Sequence, residues 1–256
     1  MPDLYANRVY RIGQIEHKSR DLTTFTATIK ETNLFIQAKA DLTKVAVDTV
    51  LSLRHNLESY IKSRPEFLTS LKPIDSDRFA PEIAKEMIED SRSAGTGPMA
   101  AVAGAIAERV ALALSVAGDR RWGDGKDVIV ENGGDVFMVT TGERVIGLYG
   151  GDFLLGLGIK VSAKELGISG VGVSSSSAVL GESLSLGNCD LATVVAKRGA
   201  LSDAAATALG NRVKSVKDIE DALGEIVDIP DVIGGLVIID GKMGIKGEIT
   251  LVALND

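Results

Sequence analysis

Three segments of the chain carry oxygen donors at spacings that suit ligand chemistry. Glu131-Asn132-Gly133-Gly134-Asp135 stands between two strand-like runs. Its paired glycines permit positive φ and a close backbone approach to a ligand, while Asn132 and Asp135 supply a mixed donor and a directed acceptor. The same residues also read as a plain hairpin turn, where Asn-Gly is favoured. Asp203 and Thr207 are four residues apart and lie on one helical face. A carboxylate with a hydroxyl suits a hard cation such as Mg²⁺, which keeps waters and substrate phosphates as its other ligands. Against this stands a capping role, with Ser202 at the N-cap and Asp203 complementing the helix dipole. The third segment, Ser174-Ser175-Ser176-Ser177, follows Gly172 and precedes Gly181-Glu182-Ser183. Its hydroxyls and amides can hold a phosphate or carboxylate, or can form a flexible polar loop. Gly95-Thr96-Gly97 points amides forward at a helix start, where an anion is welcome. It lacks the lysine of a Walker loop and follows no clear strand, so neither nucleotide fingerprint applies.

The elements that must position these groups can be read from periodicity. Residues 22–38 alternate as two strands, with Glu31-Thr32-Asn33 as the turn. Asp41 caps a helix over 42–62, in which Ala46, Val50, Leu53, Leu57 and Ile61 recur at helical steps until Pro65 ends it. Residues 71–81 read as a linker, and Pro81 opens a helix ending near Ser93. Pro98 starts a helix dense in alanine and glycine. Strands are expected at 128–130, 136–140 and 145–149, joined antiparallel by short glycine turns, then at 153–161, 168–174 and 191–196. Helices follow at 202–213 and 216–226, and strands at 236–239 and 249–253. Strands and helices alternate in groups, which predicts an α+β fold with largely antiparallel pairing. The expected organisation is one domain over 1–256, with two lobes meeting near 71–95.

Composition narrows the function classes. The 256 residues carry a formal net charge of -7, which disfavours binding to nucleic acid. Only 4% are aromatic, against 28 glycines, so the core must rest on small and aliphatic side chains. One cysteine, Cys189, allows no internal disulfide and no thiolate metal centre; it reads as a small residue packed at a strand start. His17 and His55 are read as solvated. The N-terminal residues have no charged start with an apolar run, and the apolar stretch 98–117 is interrupted by Glu108 and Arg109. The expectation is a cytoplasmic protein with no membrane partner.

Together these residues resemble the ApbE superfamily, the FAD:protein FMN transferases. Leu191 to Leu209 looks like the stretch in which a Val/Ala-rich strand turns into a helix beginning Ala-Asp-Ala-Leu-Ala-Thr-Ala-Leu, ungapped from Ser202. Gly133-Gly134-Asp135 resembles the Gly-Gly-Asp of that superfamily. Over nearly the whole chain the sequence is similar to an uncharacterised ApbE-like family. The shared residues are Glu31-Thr32, Arg54, Leu57 to Ile61, Gly97 to Ala105, Val130 to Asp135 and Gly181 to Leu186. The resemblance implies an ApbE-like, T-fold-like architecture, with Asp203 and Thr207 as Mg²⁺ ligands. It places Gly97, Asn132, Gly133, Gly134, Asp135, Ser174, Ser175 and Ser176 beside a bound flavin or adenine nucleotide. It implies FAD as cofactor and an acceptor protein whose hydroxyl receives FMN, a phosphoryl transfer that needs positioning and a cation. Three departures are visible: no export signal, no glycine after the serines, and Glu182 where relatives carry histidine. The alternatives are a flavin- or nucleotide-binding protein without the chemistry, and a structural or interaction protein.

Overall fold

The computed structural model describes residues 22–117, 127–140, 142–148, 156–162, 166–167, 170–177 and 188–254. His17, Glu182 and the rest of 178–187 lie outside the described residues. Short β-branched runs give eleven described strands: β1 (Thr23–Ile29), β2 (Thr32–Ala38), β3 (Val128–Asn132), β4 (Asp135–Val139), β5 (Glu143–Gly147), β6 (Leu157–Ser162), β7 (Val171–Ser176), β8 (Leu191–Ala196), β9 (Val232–Ile239), β10 (Lys242–Gly247) and β11 (Thr250–Ala253). Eight of them form one sheet in the order β1-β2-β3-β4-β7-β8-β9-β10, and β11-β6-β5 form a second. Every described pairing is antiparallel.

The period-2 alternation of side chains sorts the large sheet's two faces. Val130, Phe137, Val194 and Val237 face the helices, whereas Ile129, Met138, Val195 and Leu236 face the small sheet and meet Ile146, Ile159 and Val161. The helices are α1 (Thr43–Ser63), α2 (Glu66–Thr69), α3 (Glu82–Ala94), α4 (Val102–Ala117), α5 (Gly199–Arg212) and α6 (Ile219–Val227). The result is three layers, helices on sheet on sheet, which is the α+β architecture expected from the grouping of elements. α4 is entered through a 3₁₀ turn at Pro98–Ala101, after Gly95 ends α3 at φ 77°. The span Pro98–Ala117 is long and apolar enough to cross a membrane, with mean hydropathy 1.7. It is instead the inner helix of the layer, burying Ala105, Ala107, Val110, Ala111 and Leu114.

Two ion networks pin the helices to the sheet. Arg54 of α1 donates to Thr32 Oγ1 at 2.9 Å, Glu31 Oε2 at 2.6 Å and Glu58 Oε1 at 3.2 Å, holding the first hairpin. Arg198 takes Asp90 of α3 through Nε and Nη2 and Asp231 through Nη1 at 2.8 Å. Burial pushes the Asp90 carboxyl up, and the Arg198 guanidinium opposes it.

Four expectations are corrected in detail. The first hairpin turns at Lys30-Glu31, with Lys30 at φ 53°, while Thr32 and Asn33 belong to the ladder. β5 does not follow β4 into the large sheet: β4 pairs with β7 and β5 with β6. Residues 171–176 are strand to the end of the serines, so the run up to Ser176 is no loop. β10 escaped the periodicity reading because it is an exposed edge of lysine and glycine, defined by its partner β9 alone. Two positions conform closely: His55 is exposed on α1, and Cys189 is buried just before β8.

The closing segment is structural. Leu236, Val237, Ile238 and Ile239 are at most 2% exposed, and β9 pairs on both sides. Deleting residues 236–256 would strip half of β9 and all of β10 and β11, and expose the edge of β8. The expected product is insoluble protein; a soluble truncation with an unchanged melting curve would contradict this role.

Candidate functional site

The Asn132–Asp135 segment is a two-residue hairpin, with Asn132 paired to Asp135 across it. Gly133 and Gly134 take φ 68° and 106°, left-handed values that a type I′ turn requires and that other residues adopt at a cost. Gly134 N–H donates to Glu131 Oε1 at 2.8 Å, and Asn132 Nδ2 donates to Ala103 O at 3.1 Å. The turn is thereby tied to the first turn of α4.

The same end of α4 receives Asp203 from α5. Gly104 N–H donates to Asp203 Oδ2 at 2.9 Å. In return Glu108 of α4 accepts Gly199 N–H on Oε2 at 2.7 Å. Each helix thus places a carboxylate on the free amides that begin the other, where helix dipoles favour negative charge. The exchange requires near contact of the two backbones. A Cβ on Gly104 would lie 2.1 Å from Gly199 O, and one on Gly199 would lie 2.5 Å from Gly104 O. Burial pushes both carboxyls up to about 7, against the lowering effect of the amides they accept.

Beside this crossing lies Asp135, 7% exposed. Burial raises its carboxyl well above the usual range, and the Asp203 charge raises it further. Ser174 of β7 hydrogen-bonds the Asp135 carboxyl, while Asp135 Oδ1 has no partner. Ser174 Oγ is also 2.8 Å from Ser202 Oγ, and Ser202 Oγ donates to Gly199 O at 2.9 Å. That chain ends on a backbone carbonyl of α5.

The sequence-derived candidates fall into three groups. Asn132, Gly133, Gly134, Asp135, Ser174 and Asp203 gather where β3, β4 and β7 meet α4 and α5. Thr207 sits one turn beyond Asp203, and residues 203, 207 and 211 are the partly exposed stripe of the otherwise buried stretch 199–211 of α5. Gly97 and Ser175 stand apart from the gathered groups. Gly97 packs against the Ser70–Leu71 backbone, where a Cβ would come 1.8 Å from Ser70 O. Ser175 points to the opposite face of the sheet, toward Thr193 Oγ1 at 2.9 Å. Ser176, on the helix side again, lies beside Gly210 of α5. Ser202 is no N-cap, because α5 begins at Gly199; its hydroxyl serves the chain to Ser174 instead. Sequence reasoning passed over Glu108, Gly104 and Gly199. The available signal was an acid inside an apolar, glycine-containing helix.

Among the described residues, no three His, Cys, Asp or Glu side chains converge as a metal cluster. A site for a cation here would therefore use two carboxylates at most, with hydroxyls, waters or ligand phosphates, a donor set of hard oxygens that fits Mg²⁺.

Known proteins align with this arrangement. Residues 15–229 match the family model described as AbpE bacteria. A UPF0280 protein of Methanocella arvoryzae is 36% identical over 222 residues, covering 86% of this chain and 87% of its own. The UPF0280 protein MJ1526 of Methanocaldococcus jannaschii is 38% identical over 226 residues, covering 86% and 89%. Among solved structures, the apo form of the Pseudomonas stutzeri flavinyl transferase ApbE superposes with a TM-score of 0.51 at 11% identity, over 94% of this chain and 95% of that one. The ApbE protein of Thermotoga maritima gives 0.52 at 12% identity, over 88% and 96%. At that identity the superpositions speak for the fold, which is the three-layer arrangement described above. Family model and relatives agree, and the chain belongs to the ApbE-like family alongside the UPF0280 proteins.

Proposed function

We propose that this protein binds a flavin or adenine nucleotide with Mg²⁺ at the junction of α4, α5 and the β3–β4 turn, and passes FMN from FAD to a hydroxyl of an acceptor protein, the pyrophosphate bond breaking as AMP leaves with the hydroxyl proton. The observation that carries the reading is the Asp203–Thr207 stripe, the one face on which the middle of α5 reaches solvent, with a raised carboxyl at its head. A cation at Asp203, displacing its proton, would offset the cost of burying its charge. The flavinyl transferase in the fold comparison supports the choice of flavin.

Asp203 and Thr207 would hold the Mg²⁺, which supplies charge neutralisation for nucleotide phosphates when bound. Asp203 Oδ2 accepts the Gly104 amide, which fixes the carboxyl's orientation and leaves lone pairs for coordination. The left-handed Gly133-Gly134 turn offers backbone without Cβ, and Asn132 fixes that turn against α4. Ser174 orients Asp135. A second reading, binding without transfer, keeps all of these roles and omits the acceptor.

Asp203→Asn preserves shape and removes the charge. It should leave the protein folded, since asparagine keeps an oxygen for the Gly104 amide, and abolish the Mg²⁺ enhancement of FAD or ADP binding. Calorimetric titration of both proteins, with Mg²⁺ and with chelator, measures this. Equal affinities in all four titrations would end the proposal. Intact-mass detection of an FMN adduct on an acceptor separates transfer from binding alone.

A further inference from the structure

We propose that Asp135 is a second carboxylate ligand of the cation, so that the site grips it from the sheet and from the helix layer together. The inference rests on the reading of Asp203 and Thr207 as the helix-side ligands. Asp135 comes from β4, 68 residues earlier in the chain than Asp203, and nothing in the spacing of the two motifs joins them.

Three features of the structure lead there. Asp135 is more than nine-tenths buried, at 7% exposure. Its Oδ1 makes no hydrogen bond, an expensive state for a buried carboxyl oxygen. Its partner across the turn, Asn132, bonds Ala103 O, one residue from the Gly104 amide that Asp203 accepts, so both acids come to the same end of α4. Two acids this close in the fold repel when both are ionised, and the unpaired Asp135 oxygen is a coordination position in want of an occupant. Carboxylates recognise a hard divalent cation, and raising their number from one to two tightens such a site.

The chain's other contacts prepare Asp135 for that role. Ser174 bonds its carboxyl and is itself anchored to Ser202, which is anchored to Gly199 O, so the side chain is held from α5 through two hydroxyls. Asp203 is held from α4 by the Gly104 amide. Both ligands are thus oriented by backbone groups of the Gly104–Gly199 crossing, and neither needs a nucleotide to be placed. The site should therefore take a cation before any nucleotide arrives.

Mn²⁺, read by the loss of its free electron-spin resonance signal, tests this with the full chain in the absence and presence of ADP. Wild type should bind Mn²⁺ without ADP. Asp135→Asn and Asp203→Asn should each weaken that binding at least tenfold, while Asp240→Asn on an exposed turn should not change it. Mg²⁺ should raise the melting temperature of wild type and of neither site variant. Asparagine matches aspartate in shape and removes a like charge, so Asp135→Asn should fold; Asp135→Ser, which leaves room, carries the same comparison if it does not. Unchanged Mn²⁺ affinity in the Asp135 variants beside a weakened Asp203→Asn would overturn the role of Asp135 and leave the Asp203 site standing. No Mn²⁺ binding by wild type with or without ADP would overturn both.

Discussion

Gly104→Ala should destabilise the protein by about 2 kcal/mol or more, although the same exchange in an open helix would stabilise it. In a helix interior, alanine is favoured over glycine by about 1 kcal/mol. At Gly104 the new methyl would come 2.1 Å from Gly199 O, 2.7 Å from Gly199 C and 2.8 Å from Asp203 Cβ. Two of those atoms are backbone and cannot swing away, so α4 and α5 must part. Overpacking of this kind costs roughly 1–3 kcal/mol and sometimes more. Parting the helices also lengthens the bonds from Gly104 N to Asp203 and from Gly199 N to Glu108, each worth about 0.5–1.5 kcal/mol with the carboxyl protonated and more when it is ionised. Gly199→Ala, blocked by Gly104 O at 2.5 Å, should behave alike. Chemical denaturation reads the outcome, and the sign decides: a variant as stable as wild type or more so would mean the helices are not held at that distance.

Stability should fall as the pH rises from about 4.5 to about 7, through Glu108 and Asp203. Both carboxyls stand at about 7 in the folded protein, chiefly through burial, against ordinary values of 4.5 and 3.8. A folded-state value above the unfolded one means that the native protein binds the proton more tightly. Its contribution is complete below the unfolded value and is lost as pH passes the folded one. For Glu108 the difference corresponds to about 3 kcal/mol at most. The surface carboxylates work in the opposite direction. Glu31, Asp41 and Asp218 are held low by hydrogen bonds and lose their contribution on acidification. A single pH curve mixes the two groups, so the informative quantity is the difference between wild type and Glu108→Gln. Glutamine keeps an oxygen for the Gly199 amide and carries no charge. Its stability relative to wild type should improve by about 2–3 kcal/mol between pH 5 and pH 8. Parallel denaturation curves across that range would show that Glu108 ionises freely in the native state.

The elements were legible where side-chain period and turn residues agreed. α1 could be read from Ala46, Val50 and Leu57, all buried on the face their spacing specifies. The β3–β4 turn could be read from its two glycines. What was hidden depends on partners far along the chain. β5 carries the same alternation as β4, and nothing local says that it pairs with β6 in another sheet. Ser174 and Ser175 are alike in sequence, yet one faces Ser202 and the other Thr193, because adjacent strand positions point to opposite faces. Glu108 and Gly199 are 91 residues apart, and Gly104 and Asp203 are 99 apart. Their reciprocal capping exists only once α4 and α5 cross. Asp203 and Thr207 could be paired in the sequence because i, i+4 is a local pattern; Asp135 comes to that side of α5 only through the stacking of the layers.

The small sheet has a temporal consequence. Its middle strand, β6, lies between β5 and β11, and Ile159 pairs with Ile146 on one side and with Leu251 on the other. During synthesis β5 and β6 leave the ribosome long before residues 250–253, and until those appear one flank of β6 has bare amides and carbonyls. The nascent chain therefore passes through an interval with an open, apolar strand edge, which invites pairing with another chain. Closure of that edge by β11 is a late event of high sequence separation, and such contacts form slowly. Expression conditions that shorten this interval, or chaperones that cover the edge during it, should raise the yield of folded protein more than any change in the stability of the finished molecule.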